Sequence, residues 1–213
     1  MTQPSGRRAL VFGASGIIGR ALVRELIARD VDVVAAGRSE VSAQALRAWL
    51  TSHGIDDGPR TVRVDFSDPN LIAEGSSAFG DVTEVYNCAG AYRFGMSADE
   101  AYEANVATVE AIVDFAARLP ALRRLIHVAG YRVAAHPDVP APWTDRYRAR
   151  TYRELGPYEA SKVESGARFR ASAEERGLPW TVVNPASVIG DSQTGETDQY
   201  LGLSRRVHGG VSR

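Results

Sequence analysis

Short apolar runs alternate along the chain with longer segments in which apolar residues recur at the helical period. The apolar runs have the length of strands and predict six of them, at residues 8–12, 31–36, 61–64, 82–88, 122–128 and 180–184. The helical pattern predicts helices at residues 17–29, 42–52, 97–118 and 156–176, with a short helix beginning near residues 68–69. This alternation is typical of a doubly wound parallel α/β sheet, which is the predicted fold class.

Two stretches of the chain follow neither pattern. Residues 134–152 are polar and contain prolines, so we expect a loop there. Residues 191–213 are polar and glycine-rich, and little further structure is expected in them. Because 213 residues is the size of one α/β domain, we expect a single domain at residues 1–190 followed by a polar C-terminal segment at 191–213.

Composition and charge narrow the class of protein. Hydrophobic residues make up 44% of the chain and charged residues 24%, which is ordinary for a soluble globular protein. The net charge of −1 provides no basic field for nucleic acid and no polybasic face for a membrane. The apolar runs are too short to span a bilayer, and the first residues lack the apolar stretch of a signal peptide. We therefore expect a cytoplasmic protein.

The chain contains a single cysteine and a single lysine, and each has chemical consequences. Cys88 is the only cysteine, which excludes an internal disulfide and a cysteine-based metal cluster, and no metal site is predicted. Lys162 is the only lysine among 25 basic residues. Arginine and lysine differ in shape, hydration and the ease with which their pKa shifts, so the one retained ammonium group is a candidate functional residue.

A glycine-rich loop lies between the first predicted strand and the first predicted helix. Gly13 can form the tight turn, Gly16 lets the backbone approach a pyrophosphate, and Gly19 lets the helix pack closely on the strand. The helix N-terminus adds free N–H groups and a positive dipole. The sequence therefore predicts a Rossmann domain that binds NAD(P). Its predicted loop contacts are Gly13, Ser15, Gly16, Ile17, Ile18 and Gly19.

The residues after the second and third predicted strands favour NADP over NAD. The stretch in which the second strand ends, residues 35–39, lacks the carboxylate that would bind a free ribose 2′-hydroxyl, whereas Arg38 can bind a 2′-phosphate, with Ser39 as a second donor. Asp65 ends the third strand and is followed by Phe66, both predicted cofactor contacts. Asp65 is placed either to meet the adenine amino group or to cap the turn that follows, and the sequence leaves both open.

Tyr158 and Lys162 lie four residues apart in the helix that begins at residue 156, so they share one helix face. A phenol ordinarily has a pKa of about 10, which is too high for acid–base work at neutral pH. A neighbouring ammonium favours the phenolate and lowers that pKa. The pair therefore predicts Tyr158 as a general acid or base and Lys162 as its electrostatic partner, which can also bind the nicotinamide ribose.

These motifs together resemble the short-chain dehydrogenase/reductase family, and its extended branch more than the others. The resemblance implies that residues 87–90 line the cofactor, that Asn105 helps carry a proton relay, and that residues 185–188 cover the nicotinamide. Residues 190–196 are also similar to a stretch of the thioester and fatty-acyl reductases of that branch. The additional cofactor contacts implied are Asn87, Cys88, Ala89, Gly90, Pro185, Ala186, Ser187 and Val188.

The sequence departs from the family at the end of the fifth predicted strand. The family places a serine or threonine there to hold the substrate carbonyl oxygen, but Ala129 and Gly130 carry no hydroxyl. The loss of one such donor typically costs about 10²–10³ in rate, so activity is expected to be weak unless Tyr131 or another group substitutes. His127, on the same strand, is expected to be a packed core histidine and not a catalyst.

The second departure is length, because extended members continue well past the sixth strand with a seventh strand and a substrate-binding lobe. Here that lobe is largely missing from the sequence, so the chain is either a fragment or a compact protein that forms its substrate pocket in another way. The substrate itself is therefore not predicted beyond a small molecule, and a homodimer is a further expectation.

The combined prediction is an NADP-dependent oxidoreductase that transfers a hydride between nicotinamide and a carbonyl or alcohol. Two alternatives remain open. One is a sugar-nucleotide epimerase or dehydratase of the extended branch, which would use the same residues. The other is a non-catalytic NADP-binding or redox-sensing module.

Overall fold

A computed structural model describes residues 6–91, 93, 95–135, 139–188, 190–192 and 194–196 of the chain. Its six strands form one parallel sheet in the order β3-β2-β1-β4-β5-β6, which confirms the doubly wound fold. The strands are β1 (Arg8–Phe12), β2 (Asp32–Gly37), β3 (Arg60–Arg63), β4 (Glu84–Asn87), β5 (Arg124–Val128) and β6 (Trp180–Val183). The strand order reverses between β1 and β4, so the crevice expected at a switch point opens there.

Helices cover both faces of the sheet. They are α1 (Ile17–Ala28), α2 (Glu40–Ser52), α3 (Ala98–Tyr102), α4 (Thr108–Ala116), α5 (Tyr131–Ala134), α6 (Asp145–Leu155) and α7 (Pro157–Glu175). The central strand β1 is buried on both faces, with Leu10 and Phe12 in one core cluster and Ala9 and Val11 in the other. A strand covered on both faces is apolar along its whole length, which explains the continuous apolar run in the sequence.

The helix predicted at residues 97–118 is present, but its middle turn is wider than an α-helix. Ser97 begins the helix, because its side chain accepts a hydrogen bond from the backbone N–H of Glu100 and the Glu100 side chain accepts one from the backbone N–H of Ser97. A π-helical turn, Glu103–Ala107, then separates α3 from α4. Such turns often occur at functional sites, and this one contains Asn105.

The prediction of a loop at residues 134–152 was wrong, because α6 occupies part of it. Thr144 begins α6 by accepting a hydrogen bond from the backbone N–H of Tyr147. Trp143 and Tyr152 are buried in a third apolar cluster that α6 shares with α3 and α7. Most of the other α6 residues are charged. The few apolar residues of α6 were therefore too sparse for the sequence pattern to indicate a helix.

The prediction of a short helix near residues 68–69 was also wrong, because these residues, which the structure describes, form no helix. Asp68 instead forms a turn in which its side chain accepts a hydrogen bond from the backbone N–H of Asn70 at 2.8 Å. Leu71 follows with a φ of +63°, a left-handed conformation that ends any helix. A one-turn 3₁₀ helix, Ser76–Phe79, forms later and buries Phe79.

The polar C-terminal segment predicted at residues 191–213 is described only in part, since residues 197–213 lie outside the described residues. Whether it begins a substrate lobe therefore stays a prediction. Among the described residues, no helix combines the length and the apolar character needed to cross a membrane.

Candidate active site

Two adjoining clefts lie at the carboxyl ends of the strands and form one groove. The larger, of about 560 Å³, contains Lys162 and is called the Lys162 cleft. The smaller, of about 270 Å³, contains Arg38 and is called the Arg38 cleft. The residues that line both clefts are Gly16, Cys88, Ala89, Gly90 and Ala91. The groove therefore crosses the switch point between β1 and β4, where open α/β sheets bind their ligands.

Most of the predicted site residues line this groove. Those in the Lys162 cleft are Gly16, Ile17, Ile18, Gly19, Cys88, Ala89, Gly90, Asn105, Tyr158, Lys162, Pro185, Ala186, Ser187 and Val188. Those in the Arg38 cleft include Gly13, Ser15, Arg38, Ser39 and Phe66. The groove thus brings together residues from most of the segments that the sequence singled out, whereas Asn87 and Asp65 line neither cleft.

Asn87 and Asp65 support the backbone around the groove. The Asn87 side chain is fully buried, accepts a hydrogen bond from the backbone N–H of Ala89 at 2.9 Å, and contacts the His127 ring at 3.2 Å. Asp65 accepts hydrogen bonds from the backbone N–H and hydroxyl of Ser67, which lower the pKa of its carboxyl. Of the two roles left open for Asp65, the geometry favours the cap of this turn.

Gly13 and Gly19 allow the glycine loop to approach its neighbours closely. Gly13 has a φ of +72°, and a Cβ there would lie 2.6 Å from the backbone nitrogen of Ala89. A Cβ on Gly19 would lie 2.2 Å from the carbonyl oxygen of Gly13, so only glycine fits at the first turn of α1. Glycine at these two positions therefore lets the loop pack against the residues that follow β4 and lets the first turn of α1 pack against the loop.

The Arg38 cleft is bounded by the start of α2. Ser39 begins this helix, and its hydroxyl accepts a hydrogen bond from the backbone N–H of Ser42 at 3.2 Å. The Ser42 hydroxyl donates to the carbonyl oxygen of Ser39 at 2.6 Å. Arg38 lies between the end of β2 and this cap, and it lines the Arg38 cleft but not the Lys162 cleft.

Asn105 holds the wall of the Lys162 cleft in place. Its side-chain oxygen accepts a hydrogen bond from the backbone N–H of Ala91 at 3.0 Å, and its amide nitrogen donates to the hydroxyl of Ser161 at 3.0 Å. A Cβ on Gly90 would lie 3.1 Å from this side-chain oxygen and 3.8 Å from Lys162 Nζ. Asn105, Gly90 and Lys162 therefore converge at one point of the groove.

Lys162 carries an ammonium group that is largely removed from water. Its Nζ lies 3.5 Å from the carbonyl oxygen of Val128 at the end of β5. Burial lowers the pKa of Lys162 to about 8, because desolvation disfavours the charged form. Burial also raises the pKa of the neighbouring Cys88 thiol to about 12, an effect that Lys162 partly offsets. Cys88 is therefore a neutral thiol at physiological pH, whereas Lys162, with its pKa at about 8, is still mostly protonated.

The end of β5 has open space where the family carries a hydroxyl. A Cβ on Gly130 would meet no atom within 4 Å, and the Gly130 backbone is extended, a conformation that any residue adopts. Tyr131 follows, lines the cleft and is 52% exposed. The nearest hydroxyl-bearing residue to the vacant position along the chain is therefore Tyr131.

The structure also places residues in the cleft that the sequence did not single out. Arg132 and Glu159 line the Lys162 cleft and form an ion pair, with 3.0 Å between Arg132 Nε and Glu159 Oε2. Ser161 lies under the cleft as the partner of Asn105. Glu159 and Ser161 lie between Tyr158 and Lys162 in the sequence. That position was the only feature of the sequence that could have indicated that they belong to the site. Arg132 had no signal, since its partner is distant in sequence.

His127 is the packed core histidine that the sequence predicted. Its ring is 1% exposed, stacks on Phe169 at 5.0 Å, and faces Asn87. Burial holds its pKa well below the usual range, with a further lowering by Lys162. His127 lines neither cleft, so it is placed to support β5.

A comparison with models of protein families identifies the family of this chain. The model of the NAD dependent epimerase/dehydratase family matches residues 9–211. The chain belongs to that family. The predicted resemblance to the extended branch of the short-chain dehydrogenases and reductases is thereby confirmed, together with the sheet expected for it.

The individual curated relatives share only about a third of their residues or fewer with this chain over the matched regions. A 4-hydroxy-2-methyl-3-oxo-4-farnesyl-3,4-dihydroquinoline-1-oxide ketoreductase of Stigmatella aurantiaca is 27% identical over 93% of this chain and 55% of its own length. The 3-oxoacyl-[acyl-carrier-protein] reductase of Escherichia coli is 34% identical over 41% of this chain and 36% of its own length. The chain thus spans about half or less of the length of these curated relatives.

Solved structures share the fold. Yeast methylglyoxal/isovaleraldehyde reductase Gre2, complexed with NADPH, has a TM-score of 0.70 at 20% identity, covering 87% of this chain and 59% of that one. UDP-glucuronic acid 4-epimerase from Bacillus cereus, in complex with NAD, has a TM-score of 0.62 at 18% identity, covering 87% and 59%. Both reductases and epimerases are therefore built on this architecture.

Proposed function

We propose that this protein is an NADP-dependent oxidoreductase that interconverts a carbonyl and an alcohol. The observation that carries the proposal is the convergence of Tyr158, Lys162 and Asn105 in the cleft that the glycine loop also lines. The ketoreductase from Stigmatella aurantiaca and the NADPH-bound Gre2 structure support the same reaction class and cofactor. The acid–base pair and the dinucleotide loop therefore share one groove, as hydride transfer to a carbonyl requires.

The residues of the groove fit a phosphorylated dinucleotide. Gly16, which has no side chain, and the N-terminus of α1 suit a pyrophosphate, because a helix N-terminus offers free backbone N–H groups and a positive dipole. Arg38 in the Arg38 cleft suits a 2′-phosphate, with Ser39 beside it. NADP is therefore the cofactor we propose, and NAD is the second choice. When bound, the nicotinamide supplies or accepts the hydride, and the protein provides position and electrostatics.

Tyr158 is proposed to exchange the proton with the substrate oxygen. Its helix position puts the phenol on the same face as Lys162, one turn away. A protonated Lys162 favours the phenolate and makes proton transfer easier near neutral pH. Asn105 is a positioning residue in this proposal, because its hydrogen bonds to Ala91 and Ser161 fix the two sides of the cleft.

Tyr131 is proposed to stand in for the absent hydroxyl of the family. It directly follows the vacant position at Gly130, and its ring is exposed in the cleft. In the proposed reaction its phenol donates a hydrogen bond to the carbonyl oxygen as negative charge develops. A Gly130→Ser variant adds a second donor without a steric penalty, so it should raise turnover, by at most about 10²-fold.

A non-catalytic dinucleotide-binding protein is the competing function, and the absence of a hydroxyl at residues 129–130 favours it. Carbonyl reduction by the wild type and by Tyr158→Phe separates the two. We expect NADPH-dependent turnover of at least one carbonyl in a broad panel, and a loss of several orders of magnitude in kcat for Tyr158→Phe with an unchanged NADPH dissociation constant. Full activity in Tyr158→Phe refutes the mechanism. Binding of NADPH without turnover in the wild type and in Gly130→Ser supports the competing function.

A further inference from the structure

Two described parts of the chain after β6 lie at different places on the fold. Residues 185–188 line the Lys162 cleft together with the first turn of α1. Eight residues after Val188, Glu196 lies beside Arg20, on the second turn of α1, and beside the C-terminal part of α2. A short stretch of chain thus connects the wall of the groove to the outside of two helices.

This stretch ends in a compact turn that orients Glu196. The backbone N–H of Gly195 donates to the carbonyl oxygen of Asp191, and the backbone N–H of Asp191 donates to that of Glu196, each at 2.9 Å. The backbone N–H of Thr194 donates to the Asp191 carboxylate at 2.8 Å, and the Thr194 hydroxyl accepts from the N–H of Glu196 at 3.2 Å. The turn therefore has its own hydrogen bonds and presents the Glu196 side chain to the helices.

Glu196 is held by three side chains, one on α1 and two at the C-terminal end of α2. Trp49 Nε1 donates to Glu196 Oε1 at 2.8 Å, and His53 Nε2 lies 2.8 Å from Oε2. Arg20 lies 3.7 Å from Oε1 and places its guanidinium group 4.7 Å from the centre of the Trp49 ring, which stacks on His53 at 4.0 Å. These contacts hold the pKa of the Glu196 carboxyl below its usual range.

The two helices that Glu196 joins also provide both halves of the groove. The N-terminal turn of α1 lines the Lys162 cleft, and the cap of α2 lines the Arg38 cleft. Glu196 itself lines neither cleft. Its influence on a bound dinucleotide must therefore pass through residues 185–188 and through the relative position of α1 and α2.

We propose that Glu196 is a positioning residue that clasps the segment after β6 to α1 and α2 and so slows the release of NADP from the groove. This inference rests on the proposed function, since it needs a dinucleotide in the groove. While the clasp is closed, residues 185–188 stay in the wall of the Lys162 cleft. Release then requires the contacts of Glu196 to break first.

The test is the NADPH dissociation rate, measured by stopped-flow fluorescence on the full chain. Glu196→Ala removes every contact of the clasp and should raise the dissociation rate roughly tenfold, since a charge-assisted hydrogen bond is lost. Trp49→Phe removes the indole N–H that donates to Glu196 and reduces the ring that Arg20 and His53 contact, but it leaves the other contacts of Glu196 in place, so it should raise the rate less. The double variant should dissociate no faster than Glu196→Ala alone, because both changes open the same clasp. Glu175→Ala removes an exposed glutamate of another ion pair and is the matched control.

Each result decides the matter. Unchanged dissociation in Glu196→Ala and Trp49→Phe overturns the clasp, and so does a double variant whose effects simply add. A loss of stability in the cofactor-free protein without a faster release makes Glu196 a structural residue only, which also overturns it. If the wild type binds neither NADPH nor NADH, the proposed function itself fails, and the clasp fails with it. If NADPH binds and only the clasp variants release it faster, both proposals are supported.

Discussion

Replacement of Lys162 with methionine should stabilise the protein while it removes function. Methionine has a similar length and no charge, so it relieves the desolvation cost of burying an ammonium group. Burial lowers the pKa of Lys162 from 10.5 to about 8. At about 1.4 kcal/mol for each tenfold change in proton affinity, this corresponds to roughly 3 kcal/mol of folding free energy at pH 7. Lys162→Met should gain most of that amount.

The gain should shrink as the pH rises. The folded-state pKa of Lys162 is below its unfolded value, so the unfolded chain binds more protons between about pH 8 and 10.5. The wild type therefore regains stability through this window, and the advantage of Lys162→Met should fall from roughly 3 kcal/mol at pH 7 to roughly 1.4 kcal/mol at pH 9.5.

Urea unfolding of the cofactor-free protein at both pH values measures this difference. Arg153→Met, at an exposed position of α6, is the control and should change stability by less than about 0.5 kcal/mol. A variant that is less stable than the wild type at pH 7, or an advantage that does not change with pH, would refute the reasoning. The first result would mean that Lys162 contributes more by its contacts than its burial costs.

Three further predictions concern the scaffold, each measured by urea unfolding. Gly19→Ala should destabilise by about 1–3 kcal/mol, because its Cβ would overlap a carbonyl oxygen, whereas Gly130→Ala should not; equal effects would contradict the loop geometry. Glu164→Gln should lower the free energy of unfolding by about 3–5 kcal/mol, because this fully buried carboxylate forms an ion pair with Arg148 of α6 at 2.7 Å. The control Glu154→Gln, at an exposed position of α6, should leave the free energy of unfolding unchanged. The buried His127 has a lowered pKa, so stability should fall below about pH 6.5, by at most about 1.4 kcal/mol per pH unit, and His127→Gln should lose that slope.

The sequence predicted those parts of the fold whose signals are local. The strands are apolar because both faces of the sheet are covered, and the glycine loop is recognisable because a turn and a close approach require glycine at Gly13 and Gly19. Tyr158 and Lys162 were recognisable because a fixed helical spacing puts them on one face. These features depend on the residues themselves and their immediate neighbours, so one chain is enough to find them.

The features that the sequence missed depend on distant partners. The sequence of α6 is polar enough to predict a loop. In the structure, Tyr152 is buried in the apolar cluster that α6 shares with α3 and α7, and Arg148 forms an ion pair with Glu164 of α7. The turn after β3 depends on the side-chain hydrogen bonds of Asp65, which a strand-and-helix pattern does not contain. The contact between Glu196 and Trp49 joins residues 147 apart in sequence, so no local pattern could indicate it.

We propose that the groove binds NADP through the 2′-phosphate of the cofactor, and the affinities of the wild type for NADPH and NADH test this proposal. Fluorescence titration of the wild type should give a dissociation constant at least about tenfold lower for NADPH, the value of about one charge-assisted hydrogen bond. Arg38→Ala should weaken NADPH binding and leave NADH binding unchanged, so that the preference disappears. Equal affinities in the wild type, or a preference that survives in Arg38→Ala, would contradict the account.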